Sequence, residues 1–103
     1  MSDKYEYIGM PRDEIDTPVL LVDLDALEHN IEKLAAQFTA AGKNLRPHTK
    51  SHKTPTIASK QLEAGAIGIT CAKVGEAEAM ANAGIIDILI ANEVIGAKKI
   101  QRL

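Results

Sequence analysis

Large aromatic rings and cysteine are the scarce commodities of this sequence. Of its 103 residues only Tyr5, Tyr7 and Phe38 are aromatic, and there is no tryptophan. A core therefore has to be assembled from Ile, Leu, Val and Ala. The single cysteine, Cys71, cannot form an internal disulfide, which fits a reducing compartment. At a strand end such a thiol reads as a small buried hydrophobe in preference to a nucleophile. No apolar run approaches the roughly 20 residues that a membrane span requires. The first 15 residues also lack the apolar segment of a signal peptide, so a soluble cytoplasmic protein is the default expectation. With 46 % apolar and 25 % charged residues, the chain has the balance of a globular protein and not of a disordered or fibrous one.

Acid is missing from one stretch. The formal net charge is −2, yet Lys43, Arg46, Lys50, Lys53 and Lys60 fall in a segment that also holds His48 and His52 and contains no Asp or Glu. That segment carries +5 and the remainder of the chain −7. An anion- or nucleic-acid-binding module could use such a segment, but it would need stacking aromatics or a basic helix face. The segment has no aromatic residue, so neither a nucleic-acid nor a membrane partner is expected.

Residues 1–17 hold Gly9, Pro11 and several charges without periodicity and read as an irregular lead-in. Val19-Leu20-Leu21-Val22 is an apolar run of strand length. Asp25 followed by Glu28 has the form of a capping box, and Leu27, Ile31, Leu34, Ala35 and Phe38 recur on one helical face. The spacing predicts a helix over about 26–41, with Gly42 at its end. A strand over Asn44–Lys50 follows, then a helix that starts at Thr54-Pro55 and runs to Gly65, since proline suits the first helical position. Ile67–Ala72 reads as a strand and Gly75–Asn82 as a helix ending at Gly84, with Val74, Ala77 and Met80 on one side. Asp87–Ala91 is a further strand, and Gly96–Leu103 opens another helix.

Strands beginning near 44, 67 and 87 and separated by helices imply parallel βα units. Parallel strands need both faces covered, and three units cannot close a barrel of about 250 residues. Residues 18–103 are thus expected to be the incomplete N-terminal part of a larger α/β domain, its first three βα units.

If Asn44–Lys50 is a strand, its side chains alternate. Arg46, His48 and Lys50 share one face, and Leu45, Pro47 and Thr49 share the other, under the helices. In a barrel the first set points inward with Lys50 nearest the carboxyl end, where barrels keep their catalytic groups. Crowding by like charge disfavours the ammonium form of a lysine, and the free amine is the form that attacks a carbonyl. Lys53, in the turn before the helix, reads as a surface or supporting charge. His48 and His52 are four apart, but off a helix that spacing does not converge on one metal, and no acid lies nearby. His29 falls on the polar side of the first helix. Gly65 and Gly68 precede a strand instead of opening a helix, which is not a dinucleotide fingerprint.

Asp16-Thr17-Pro18, Asp23-Leu24-Asp25-Ala26-Leu27-Glu28-His29-Asn30-Ile31 and Arg46-Pro47-His48-Thr49-Lys50-Ser51-His52-Lys53 together resemble the opening of the D-threonine aldolase and D-serine dehydratase family. Gly68–Glu78 is similar to that family's second unit. The resemblance runs from about residue 16 to Leu103. It implies the fold of alanine racemase, a (β/α)8 barrel of the TIM type that binds pyridoxal 5'-phosphate and is followed by a β domain. It also implies Lys50 as the residue bonded to the cofactor, with His48 and Arg46 as cofactor-binding neighbours. Asn92-Glu93-Val94-Ile95-Gly96 is similar to aldolase members. The reaction so implied is retro-aldol cleavage of a D-3-hydroxy amino acid to glycine and an aldehyde, with D-serine or 3-hydroxyaspartate dehydration as the alternative. A divalent metal, whose ligands lie outside this chain, and a homodimer complete what the resemblance implies.

Overall fold

The computed structural model describes residues 6–103. Tyr5 and the first part of the expected lead-in lie outside the described residues. The rest of the lead-in is not wholly irregular, because Arg12–Glu14 forms one 3-10 turn. Val19–Val22 is not a strand. Leu20 is 97 % exposed and Val22 62 %, and with no partner strand among the described residues an apolar run has nothing to pair with.

Helix α1 spans Leu24–Ala40. Its N-cap is Asp23, whose Oδ1 accepts from Ala26 N at 2.9 Å; Asp25, the expected cap, sits inside the first turn. Aspartate serves at either position, as a cap or as an anion beside the positive end of the helix dipole, and only the backbone tells them apart. Helix α2 covers Pro55–Glu63. Thr54 precedes it without a side-chain cap, since its hydroxyl donates instead to His52 O at 2.7 Å. Lys60 Nζ reaches Glu28 Oε1 at 2.8 Å and ties α2 to α1. That bond holds the Lys60 ammonium above its ordinary range.

The two strands are short and parallel: β1, Ile69–Cys71, and β2, Ile88–Ile90, with Ile69 opposite Ile88 and Cys71 opposite Ile90. Helix α3 (Val74–Asn82) lies between them in sequence and α4 (Ala97–Ile100) follows. Helices α1, α2 and α3 all finish in the same way. Lys43, Ala66 and Ile85 N bond back to Phe38, Gln61 and Met80 O, and Gly42, Gly65 and Gly84 N to Thr39, Leu62 and Ala81 O. This is the Schellman closure, and its turning residue needs the positive φ that glycine adopts without strain.

The expected first strand is present only as a paired segment. Leu45 O accepts from Ile67 N at 2.9 Å, Pro47 O accepts from Thr70 N at 2.8 Å, and His48 bridges Thr70 in parallel. Pro47 has no N–H to complete a ladder. At Thr49 the chain leaves the strand path for a 3-10 turn, Thr49–Ser51. Lys50 therefore sits on the turn after the pairing and not on a strand.

The core lies between this layer and the helices: Ala58, Ile69, Cys71, Ala77, Met80 and Ile85. The radius of gyration is 16.4 Å, with extents of 46 × 41 × 21 Å, whereas a compact domain of this length measures about 13 Å. The units form a slab, covered by helices on one side. No helix among the described residues is long and apolar enough to cross a membrane.

Candidate active site

Parallel pairing sets side chains in rows across the layer. His48, Thr70 and Leu89 stand in one row, and Arg46, Gly68 and Asp87 fall two residues before them. Arg46 crosses over Gly68 to reach Asp87: Nη1 lies 2.7 Å from Oδ1, with Asp87 O at 3.3 Å and Ile69 O at 3.4 Å. A Cβ on Gly68 would lie 2.3 Å from Arg46 Nη1 and 2.6 Å from Asp87 O, so only glycine lets the guanidinium pass. This brace marks the amino-terminal end of the layer.

The carboxyl-terminal end holds the 3-10 turn and Lys50. His48 Nδ1 accepts from Lys50 N at 3.2 Å. In the neutral ring the proton is then on Nε2, which leaves Nε2–H as the donor His48 can offer. The Lys50 side chain is exposed, and none of the ion pairs among the described residues engages it. Its amine is accessible while its backbone is held. Lys53 closes the turn, its N–H bonded to Thr49 O at 2.7 Å, and it adopts φ 50, a left-handed conformation unfavourable for a side-chain-bearing residue.

The alternation read from the sequence holds from Arg46 to Thr49 and ends there. Thr49 is fully buried on the helix side. Its Oγ1 donates to Glu76 Oε1 at 2.7 Å, with Thr70 O at 3.2 Å and Cys71 Sγ at 3.4 Å. The shortest contact goes to the carboxylate, a bond class worth about 1.5–3 kcal/mol. Burial pushes the Cys71 thiol above its ordinary 9.0. It stays protonated, so the S–H can donate to Thr49 Oγ1, whose own proton is used. Glu76 Oε2 accepts from Ala72 N at 3.2 Å, and Ala72 O accepts from Asn92 Nδ2 at 3.1 Å. The ends of the first segment, β1 and β2 are thereby joined.

Glu76 and Asp87 are the residues that sequence reasoning missed. A Glu three residues after an N-cap is a helix-start signal, but its reach to Thr49 is a tertiary fact. His52, the other histidine of the motif, is satisfied structurally: Nδ1 accepts from Thr54 N at 3.0 Å and Nε2 lies 3.3 Å from Gln61 Oε1. Among the described residues no group of three or more His, Cys, Asp or Glu could hold a metal. A groove of about 390 Å³ opens past β1 and β2, lined by Ala72, Lys73, Asn92, Glu93, Lys99 and Arg102. Arg102, paired with Glu78, holds that carboxylate below its usual range.

An accessible amine on a pinned turn, at the carboxyl end of parallel βα units, suits covalent attachment of a carbonyl cofactor. Residues 22–103 match the family described as alanine racemase, N-terminal domain. The chain belongs to that family. It is 47 % identical over 96 residues to 3-hydroxy-D-aspartate aldolase of Paracoccus denitrificans, covering 92 % of this chain and 25 % of the relative. It also resembles the crystal structure of D-threonine aldolase from Filomicrobium marinum, with a TM-score of 0.84 and 50 % identity, over 85 % of this chain and 24 % of the other. D-threo-3-hydroxyaspartate dehydratase of Delftia sp. (strain HT23) is 43 % identical over 77 residues, 75 % of this chain and 20 % of the relative. A point mutant of a dehydratase of that name has been solved in a metal-free form. The chain spans about a quarter of the length of its aldolase relatives, and its layer is the opening of an alanine racemase-type barrel.

Proposed function

We propose that the whole protein is a pyridoxal 5'-phosphate-dependent lyase that cleaves D-3-hydroxy amino acids to glycine and an aldehyde. The observation that carries this reading is the exposed Lys50, on a turn fixed by His48 Nδ1 at the carboxyl end of the layer. The bound cofactor would accept the electrons of the broken Cα–Cβ bond. Lys50 holds it covalently, with His48, which offers its Nε2–H, and Arg46, whose guanidinium is also braced by Asp87, as its cofactor-binding neighbours. Likeness to aldolases named for D-threonine and 3-hydroxy-D-aspartate supports the substrate class. Residues 18–103 serve as the N-terminal part of the cofactor-binding barrel, and 1–17 as its lead-in. A divalent cation held by residues outside this chain, a homodimer and a cytoplasmic setting belong to the same reading.

The dehydratase relative favours a second reaction, loss of the β-hydroxyl with formation of a 2-oxo acid and ammonia. D-Threonine separates the two: glycine and acetaldehyde are expected, whereas 2-oxobutanoate and ammonia without glycine would select the dehydratase. Lys50→Ala in the whole protein should remove the visible cofactor band and reduce turnover to background. Its melting temperature should match that of the cofactor-free wild type, because surface replacements cost no more than about 0.5 kcal/mol and only the stabilisation by bound cofactor is lost. A borohydride-fixed adduct on Lys53 in the wild type would overturn the assignment of Lys50.

A further inference from the structure

Two exposed lysines, Lys50 and Lys53, stand on the same turn, and accessibility alone does not choose between them. What distinguishes them is how each is held: Lys50 N–H goes to His48 Nδ1, whereas Lys53 lies past the turn, its N–H on Thr49 O and its φ at 50°. Lys50 follows Thr49, which is fully buried and whose hydroxyl is bonded to Glu76 at 2.7 Å. Glu76, itself only 8 % exposed, belongs to the first turn of α3, and its other oxygen holds Ala72 N at the end of β1. One carboxylate therefore connects a helix start, a strand end and the Lys50 turn. A helix-start glutamate of the capping-box kind turns back on its own backbone; Glu76 does so at Ala72 and also takes a donor from 27 residues upstream. That second bond satisfies the buried Thr49 hydroxyl and places the carboxylate's hold on the residue directly before Lys50.

We propose that Glu76 is a positioning residue which, by locking Thr49, selects Lys50 over Lys53 as the site of cofactor attachment. The inference rests on the assignment of Lys50 above. Attachment condenses the lysine amine with the aldehyde carbon of pyridoxal phosphate: a C=N bond replaces C=O and one water leaves. Its rate depends on where the amine is held, and loss of correct placement costs orders of magnitude in well-oriented reactions. Without the Glu76–Thr49 bond the turn keeps only its weaker ties to His48 Nδ1 and Thr70 O, Lys50 is held less well, and its advantage over Lys53 shrinks.

The test uses the whole protein stripped of cofactor, treated with limiting pyridoxal phosphate, reduced with borohydride and peptide-mapped by mass spectrometry. The readout is the ratio of adduct on Lys50 to adduct on Lys53, with thermal unfolding followed in parallel. In the wild type the adduct should be on Lys50. In Glu76→Ala and in Thr49→Val, which keeps the side chain's shape but loses the hydroxyl, the ratio should fall roughly tenfold or more. Thr49→Ser, which restores the donor, should return it to the wild-type value. Lowered melting temperatures with an unchanged ratio in Thr49→Val would overturn the proposal and leave Glu76 a helix-start residue only. Should Glu76→Ala not fold, the Thr49→Val and Thr49→Ser pair decides alone. Wild-type adduct on a lysine other than Lys50 would instead defeat the Lys50 assignment, an outcome distinct from the first.

Discussion

Two apolar stretches of this chain behave in opposite ways. Val19-Leu20-Leu21-Val22 is the more hydrophobic, yet Leu20 is 97 % and Leu21 54 % exposed. Ile69-Thr70-Cys71 includes a hydroxyl, and every one of its residues is buried. The difference is in the neighbours. Ile69–Cys71 has the Leu45–His48 segment on one edge, β2 on the other, and Ala58, Ala77 and Met80 against its helix side. Val19–Val22 has no strand partner among the described residues. Apolar content makes a strand possible, and a partner on each edge makes it real.

The comparison can be broken most decisively by truncation. Ile69→Ala should cost about 2–5 kcal/mol, the range for a filled core position, while Leu20→Ala should change stability by less than about 0.5 kcal/mol. Denaturant unfolding of the whole protein checks both, and a large loss for Leu20 would show that the Val19–Val22 run is packed there. Gly68→Ala, on the opposite face of the same buried stretch, should cost about 1–3 kcal/mol, as overpacking does, because a Cβ there meets both Arg46 and Asp87. Shortening the arginine at the same time (Gly68→Ala with Arg46→Ala) should recover part of that loss.

The smallest effect concerns Cys71. Its thiol is raised above 9.0 by burial, so the folded state is the weaker acid. The contribution of the neutral thiol is fully present below pH 9 and is lost as pH rises, once the unfolded thiol ionises and the buried one does not. Stability should therefore decline more steeply above pH 9 in the wild type than in Cys71→Ala. Reaction of Cys71 with iodoacetamide should be slow until the protein unfolds.

Sequence patterns revealed most of the elements here, because helices of this length carry their own periodicity and their own glycine stops. They misjudged Val19–Val22 for want of a partner strand among the described residues, and two further places for another reason. The cap at Asp23 instead of Asp25, and the turn at Thr49 instead of a strand through Lys50, are decided by backbone geometry that nearby residues of similar type do not reveal. Lys50 stood out by its place in the motif. Glu76 did not, since Thr49 is 27 residues away and nothing local links the two. Asp87 was hidden similarly, as its partner Arg46 is 41 residues upstream.

Each pairing in the layer, from Leu45 to Ile67 and from Ile69 to Ile88, closes a loop of about twenty residues, and closure entropy grows only slowly with loop length. Every added unit thus faces nearly the same entropic barrier and needs only the unit before it as a template. On a ribosome, where chains emerge amino end first, the layer can be built in order of synthesis. The Lys50 turn, pinned by the unit that emerges next, would then be among the first parts of the proposed cofactor site to take shape.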